Sequence, residues 1–177
     1  PYTITLRDAQ GFTSTAQVFV PKICINVSAT ATDATCGNNN GIITVSASNG
    51  TSPYQFSING VDYQSSNIFN GLATGTYTLT AKDIMGGTGT TSVIINNIQG
   101  PQINTTVTAA TCSNNDGSIT ISGTGGTLPF LFGLNSSPYQ SNNIFVNLAP
   151  ATDTGFIKDA NGCIDSSVVT IISNCPV

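Results

Sequence analysis

Apolar and polar residues alternate in short runs along almost the whole chain. Ile43-Thr44-Val45-Ser46-Ala47, Tyr54-Gln55-Phe56-Ser57-Ile58 and Tyr77-Thr78-Leu79-Thr80-Ala81 each place every second side chain on one face, the period of a strand with one face buried. No window carries the spacing of an amphipathic helix. Turn signals bound the runs. Asn59-Gly60 predicts a hairpin, with Val61-Asp62-Tyr63 beginning the return strand. Met85-Gly86-Gly87 predicts a second turn, before a last strand through Val93-Ile94-Ile95. With an initial strand near Ile25-Asn26-Val27, this makes about seven short strands. That number suits a two-sheet, immunoglobulin-like sandwich.

The whole pattern then recurs. Ala-Thr-Cys36-Gly-Asn-Asn-Asn-Gly41 returns as Ala-Thr-Cys112-Ser-Asn-Asn-Asp-Gly117, a period of 76 (112 − 36). Ile43 and Val45 align with Ile119 and Ile121, Pro53-Tyr54 with Pro129-Phe130, Asn67-Ile68-Phe69 with Asn143-Ile144-Phe145, and Lys82-Asp83 with Lys158-Asp159. Tyr2-Thr3-Ile4-Thr5-Leu6-Arg7-Asp8 matches Tyr77–Asp83 with a one-residue slip. The expected organisation is all-β: tandem immunoglobulin-like β-sandwich repeats of about 76 residues. Residues 1–22 read as the last strands of a preceding repeat, 23–99 as a complete repeat, and 100–177 as another with the start of its connector. The chain opens inside a strand pattern, so it reads as a piece of a longer protein. Leu72-Ala-Thr-Gly-Thr-Tyr77 has the look of a tyrosine corner. Asp153 and Gly155 replace Tyr77 and Leu79 in the second repeat, which predicts a distorted or shifted strand there.

Composition narrows the chemistry. Only 7% of residues are charged, against 39% hydrophobic, where soluble domains carry about a quarter charged. There is no His, and all eight acidic residues are Asp. The usual general acids and bases are therefore missing, as is any Ser–His or Cys–His nucleophile. The chain reads as no enzyme, with no cofactor and no metal. The loops Asn38–Gly41 and Asn114–Gly117 resemble calcium loops only faintly, because the first has no carboxylate; a left-handed turn closed by Gly is the better reading. Four basic residues and a net charge of −4 exclude a nucleic-acid footprint, and no apolar run is long enough to insert in a membrane.

Five cysteines stand at 24, 36, 112, 163 and 175. Cys112 and Cys163 fall in one repeat and are expected to pair. The first repeat has Gly87 where Cys163 aligns, which leaves Cys24 as the expected partner of Cys36. Cys175 sits where Cys24 does in its own repeat, so its mate is expected in a following unit as an inter-repeat disulfide. Disulfides imply an oxidising compartment.

The ordered pattern of Thr-Cys-x4-Gly-x-Ile-Thr-Val, Gly-Thr-x-Pro-Tyr/Phe-x-Phe, Leu-x2-Gly-x-Tyr-x-Leu-x3-Asp and a closing Asn-Gly-Cys resembles the SprB repeat family of Bacteroidota surface proteins, which includes gliding-motility adhesins. The resemblance covers both repeats and the leading partial one. It departs at Gly87, at Asn49-Gly50 against Gly125-Gly126, and at Asp153. It implies a very large extracellular protein exported by type IX secretion and displayed on the bacterial outer surface. The expected role is a stalk or filament supporting attachment or gliding, with neighbouring repeats, and other copies in a filament, as partners. The alternative is a carbohydrate-binding module that contacts polysaccharide. Tyr63 and Tyr139 are its candidate contacts. The repeated basic–Asp step (Arg7-Asp8, Lys82-Asp83, Lys158-Asp159) reads as an Asx turn that closes a strand end. Sequons at Asn26, Asn49, Asn104 and Asn135 match a glycosylation pattern that Asn-, Ser- and Thr-rich sequence also produces by chance.

Overall fold

The computed structural model describes residues 2–18, 24–112 and 114–175, and among them every regular element is a strand. A hairpin comes first: β1 (Tyr2–Arg7) and β2 (Thr13–Val18). The first full repeat supplies β3 (Asn26–Thr32), β4 (Ala34–Thr35), β5 (Gly41–Ser48), β6 (Tyr54–Ser57), β7 (Ile68–Leu72), β8 (Gly75–Asp83), β9 (Thr88–Ile95) and β10 (Asn97–Ile98). The second supplies β11 (Pro101–Thr108), β12 (Ala110–Thr111), β13 (Gly117–Gly125), β14 (Leu131–Leu134), β15 (Ile144–Leu148), β16 (Thr152–Lys158), β17 (Ile164–Thr170) and β18 (Ser173–Asn174). Both repeats build the same sheets: β3-β5-β7, β6-β8-β9 and the parallel pair β4-β10 answer to β11-β13-β15, β14-β16-β17 and β12-β18. This is the A-B-E and C-F-G arrangement of an immunoglobulin-like sandwich, with a short strand beside the last one.

By contact density the chain forms two compact units, one of residues 1–29, 45–67 and 78–92, the other of 30–44, 68–77 and 93–177. The second contains a complete sandwich. Ile119 and Ile121 of β13 point inward against Phe132, Leu134, Ile157 and Val169 of the opposing sheet, with Ala110 and Ile171 at one end. Strand alternation sorts these residues: β13 buries every second side chain along Gly117–Ile121. Volumes trade across the core. A Cβ on Gly123 would stand 2.3 Å from Ile157 Cδ1, and one on Gly155 3.0 Å from Ile121 Cδ1. The larger Ile157 and Ile121 thus occupy space that small partners leave free. The first repeat makes the opposite choice with Ala47 and Ala81, and with Val45 and Leu79.

Asp153 does not distort its strand. β16 and β17 stay in continuous register from Thr152↔Thr170 to Lys158↔Ile164, because Asp153 Oδ1 accepts a hydrogen bond from Asn135 Nδ2 at 2.7 Å while Asn135 Oδ1 accepts one from the Thr154 N–H. Also in this unit, the Tyr77 hydroxyl donates to the Ala73 carbonyl at 2.9 Å, which is the tyrosine corner.

In the first unit the predicted hairpin at Asn59-Gly60 is only a turn. Ser57 Oγ accepts the N–H of Gly60, and Asn59 Oδ1 accepts those of Val61 and Asp62. The side chains close the loop locally, but residues 61–63 form no strand, and contact with β6 shrinks to an isolated bridge, Phe56↔Gln64. The partner of β6 is β8, in the register Tyr54↔Asp83 to Ser57↔Thr80. The β1–β2 hairpin leaves its apolar face open: Ile4 and Leu6 are 59% and 75% exposed, whereas the aligned Leu79 and Ala81 are fully buried.

Candidate functional site: a disulfide at the repeat junction

The chemically distinctive place in the second unit is the junction where the first repeat meets β11. Cys36 and Cys163 form a disulfide there, with Cα atoms 5.2 Å apart across 127 residues of chain. Several local interactions aim Cys36. β4 pairs with β10 in parallel, Ala34↔Asn97 and Thr35↔Ile98, and the Cys36 N–H then donates to the Ile98 carbonyl at 3.1 Å. Cys36 and Gly37 both adopt left-handed backbone, at φ 58° and 70°, and the Gly37 N–H donates to Asn97 Oδ1 at 2.9 Å. Asn40 holds the turn from below: its Oδ1 accepts the Thr35 N–H and its Nδ2 donates to Thr35 Oγ1, each at 2.8 Å. The left-handed positions are therefore Cys36-Gly37. Gly41 closes the loop for a different reason, since a Cβ there would stand 2.8 Å from Ile95 Cγ2.

Cys163 is presented by the β16–β17 turn, and Asp159 organises that turn. Its Oδ1 accepts the N–H groups of Asn161 and Cys163, both at 2.9 Å, and its Oδ2 accepts that of Thr127 at 3.0 Å. Asp159 is nearly buried yet fully employed. Asp83 does the same in the first unit, accepting from Gly87 and Thr51, and Asp8 accepts from Gln10 and Phe12. The basic–Asp step is an Asx turn in all three cases. The Thr51 N–H, with those of Gly87, Met85 and Gly86, holds the Asp83 carboxyl below its usual range against the opposing loss of solvation. At the junction, Gly100 gives Cys163 room to approach, since a Cβ on Gly100 would lie 2.9 Å from Cys163 Cβ. A cleft of about 230 Å³ opens beside the disulfide, lined by Gln99, Gln102 and Asp165 among others.

These pairings correct the expected ones. Cys112 does not bond Cys163, although both belong to one repeat. Cys163 lies at the Lys158–Ile164 end of the β16–β17 hairpin, whereas β18 follows its Thr170 end and pairs with β12, the strand that leads into Cys112. The ladder of seven residue pairs puts six steps between those ends, roughly 20 Å of strand, far beyond disulfide reach. Cys24 does not bond Cys36 either. The seven extended residues of β3 lie between them, and Cys24 is an exposed free thiol. Cys175, expected to find its mate outside the chain, lies beside Cys112 (below).

The ligand-contact candidates Tyr63 and Tyr139 each carry a lysine over the ring. Lys82 Nζ is 5.8 Å from the Tyr63 centroid and Lys158 Nζ 5.7 Å from that of Tyr139, a cation–π geometry in which each repeat's own basic–Asp lysine occupies a ring face. Tyr139 also borders a depression of about 230 Å³ with Asn135, Ser136 and Phe156. Among the described residues no group of three His, Cys, Asp or Glu is placed to hold a metal. No helix among them is long and apolar enough to cross a membrane.

The chain thus carries tandem immunoglobulin-like sandwich repeats with a disulfide at their junction. Residues 28–62 and 104–138 each match the SprB repeat, with the 76-residue offset found in the sequence. These two stretches are SprB repeats. That family is one of surface-associated adhesin repeats and is not a catalytic one. No curated protein matches the chain. Among solved structures, murine CEACAM1b is 14% identical with a TM-score of 0.35, covering 84% of this chain and 100% of that one. A chain from the crystal structure of a mouse coronavirus receptor-binding domain complexed with its murine receptor gives 14% and 0.36 over the same shares. Cadherin domains 1–4 of PcdhgB3 give 10% and 0.33, covering 99% of this chain and 64% of that one.

Proposed function

We propose that these repeats are a structural segment, a stalk or filament, of a large secreted adhesin on the bacterial outer surface, supporting attachment or gliding. The observation that carries this reading is the Cys36–Cys163 disulfide across the junction. Tension applied through the two chain ends passes through the sulfur–sulfur bond and bypasses the residues between, so the enclosed fold is spared from stretching. A spacer gains from such a shunt, whereas a freely swivelling binding module has no use for one. Among the features that recur between the repeats are turn and core residues: Asp83 and Asp159, Gly41 and Gly117, Ala34 and Ala110. In this reading the segment has no enzyme activity, export follows the type IX route, and the partners are neighbouring repeats.

Cells carrying the parent gene with residues 23–99 deleted in frame test it. Shorter surface fibres with retained substratum binding are expected. Unchanged fibres, together with loss of binding and a purified chain that captures surface polysaccharide, would instead make the repeats carbohydrate-binding modules.

A further inference from the structure

The junction chemistry repeats at the far end of the second sandwich with a different pair of sulfurs. β12 and β18 run parallel with Ala110↔Ser173 and Thr111↔Asn174, so one further step of the register sets Cys112 against Cys175. The first repeat makes the same pairing between β4 and β10, and its next step sets Cys36 against Gln99. Gln99 cannot bond Cys36, and Cys163 arrives from the following turn instead. The glycine at 100 that lets Cys163 approach has no counterpart in the other connectors: Ile25 follows Cys24 and Pro176 follows Cys175. The turn cysteine is equally selective. Where the connector has Cys24, the next repeat's turn has Gly87; where it has Gln99, the next turn has Cys163. Each connector thus comes with one sulfur for the Thr-Cys turn, from the connector itself or from the turn beyond.

We propose that Cys112 and Cys175 form a second disulfide, which closes the third connector onto its own repeat. Both residues are exposed free thiols in the structure. The neighbouring Cys175 side chain, with loss of solvation and the nearby charge of Asp116, pushes the Cys112 thiol up. The reaction is thiol–disulfide exchange. A Cys112 or Cys175 thiolate attacks an external disulfide and expels one thiolate. The other cysteine then displaces the second thiolate from the mixed disulfide. Two protein S–H bonds and one external S–S bond are consumed. One protein S–S bond and two external thiols are formed. The oxidant is a disulfide of the exterior, such as an oxidised small thiol or an oxidoreductase.

The test needs neither cells nor a surface role, so its outcome is separate from that of the structural reading above. The 177-residue chain is equilibrated in a glutathione buffer with the reduced form in large excess, so that an unpaired thiol stays free while a vicinal pair closes, then denatured, alkylated and weighed intact, and digested without reduction. One alkyl label is expected, on Cys24, with Cys36–Cys163 and Cys112–Cys175 peptides. The C24S variant should take no label. C175S should take two, on Cys24 and the released Cys112, with Cys36–Cys163 retained. Three labels on the unsubstituted chain, or a peptide joining Cys112 to Cys163 or Cys24, would overturn the assignment.

Discussion

Opening the Cys36–Cys163 bond should lengthen the chain that force can extend by a predictable amount. The bond spans 127 residues, and an extended chain covers about 3.5 Å per residue, so full reduction should add about 440 Å to the contour length between handles at the two ends. Single-molecule stretching with and without reductant reads this directly. The C36S variant without reductant separates one disulfide from two. With Cys112–Cys175 also closed, 63 residues (175 − 112) stay hidden and the gain falls to about 220 Å. Without it, C36S alone gives the full 440 Å. The same loop size implies about 5 kcal/mol of stabilisation through the entropy of the unfolded chain, measurable as a lower denaturant midpoint for the reduced protein. An identical contour length before and after reduction would refute the idea that force bypasses the residues in the loop.

Three other outcomes follow from the packing and the turns. D159A strips the acceptor from three backbone N–H groups and should cost about 3 kcal/mol in chemical denaturation, with D159N recovering part of it because an amide oxygen still accepts. G123A forces a methyl against Ile157 and should cost about 1–3 kcal/mol, while G123A combined with I157A should cost at least about 1 kcal/mol less than the two singles added together. The carboxyls of Asp83 and Asp116 are both held below their usual range, the first mainly by the Thr51 N–H and the second mainly by the Thr111 hydroxyl. Groups with depressed native values contribute stability above their unfolded value of about 3.9 and lose it as pH falls through the native one. Melting temperature should therefore be flat above about pH 5 and decline below about pH 4, and D116N should make that decline shallower.

Strand-level features were legible in the residues because alternation, turn glycines and a 76-residue repeat are local or periodic signals. The tyrosine corner at Tyr77 was legible for the same reason, as its bond to Ala73 spans four residues. The return strand at Val61–Tyr63 was misread because Asn59-Gly60 carries the same signal whether the next strand pairs back or crosses to the opposite sheet. Only the need of β7 to lie beside β5 decides between those. Asp153 misled for another reason. Its effect on β16 depends on Asn135, which lies 18 residues away and whose partners no spacing rule exposes.

The sequence by itself determined the sandwich strands, the repeat and the set of cysteines available at each junction, since these depend on periodicity and on residues aligned by a fixed offset. Which sulfurs meet was decided by the tertiary structure. Chain proximity favours two cysteines of one repeat, but a sandwich places the Thr-Cys turn and the β16–β17 turn at opposite ends of its strands. Cys163 can then reach only backward, to the repeat before its own, and Cys112 is left beside Cys175.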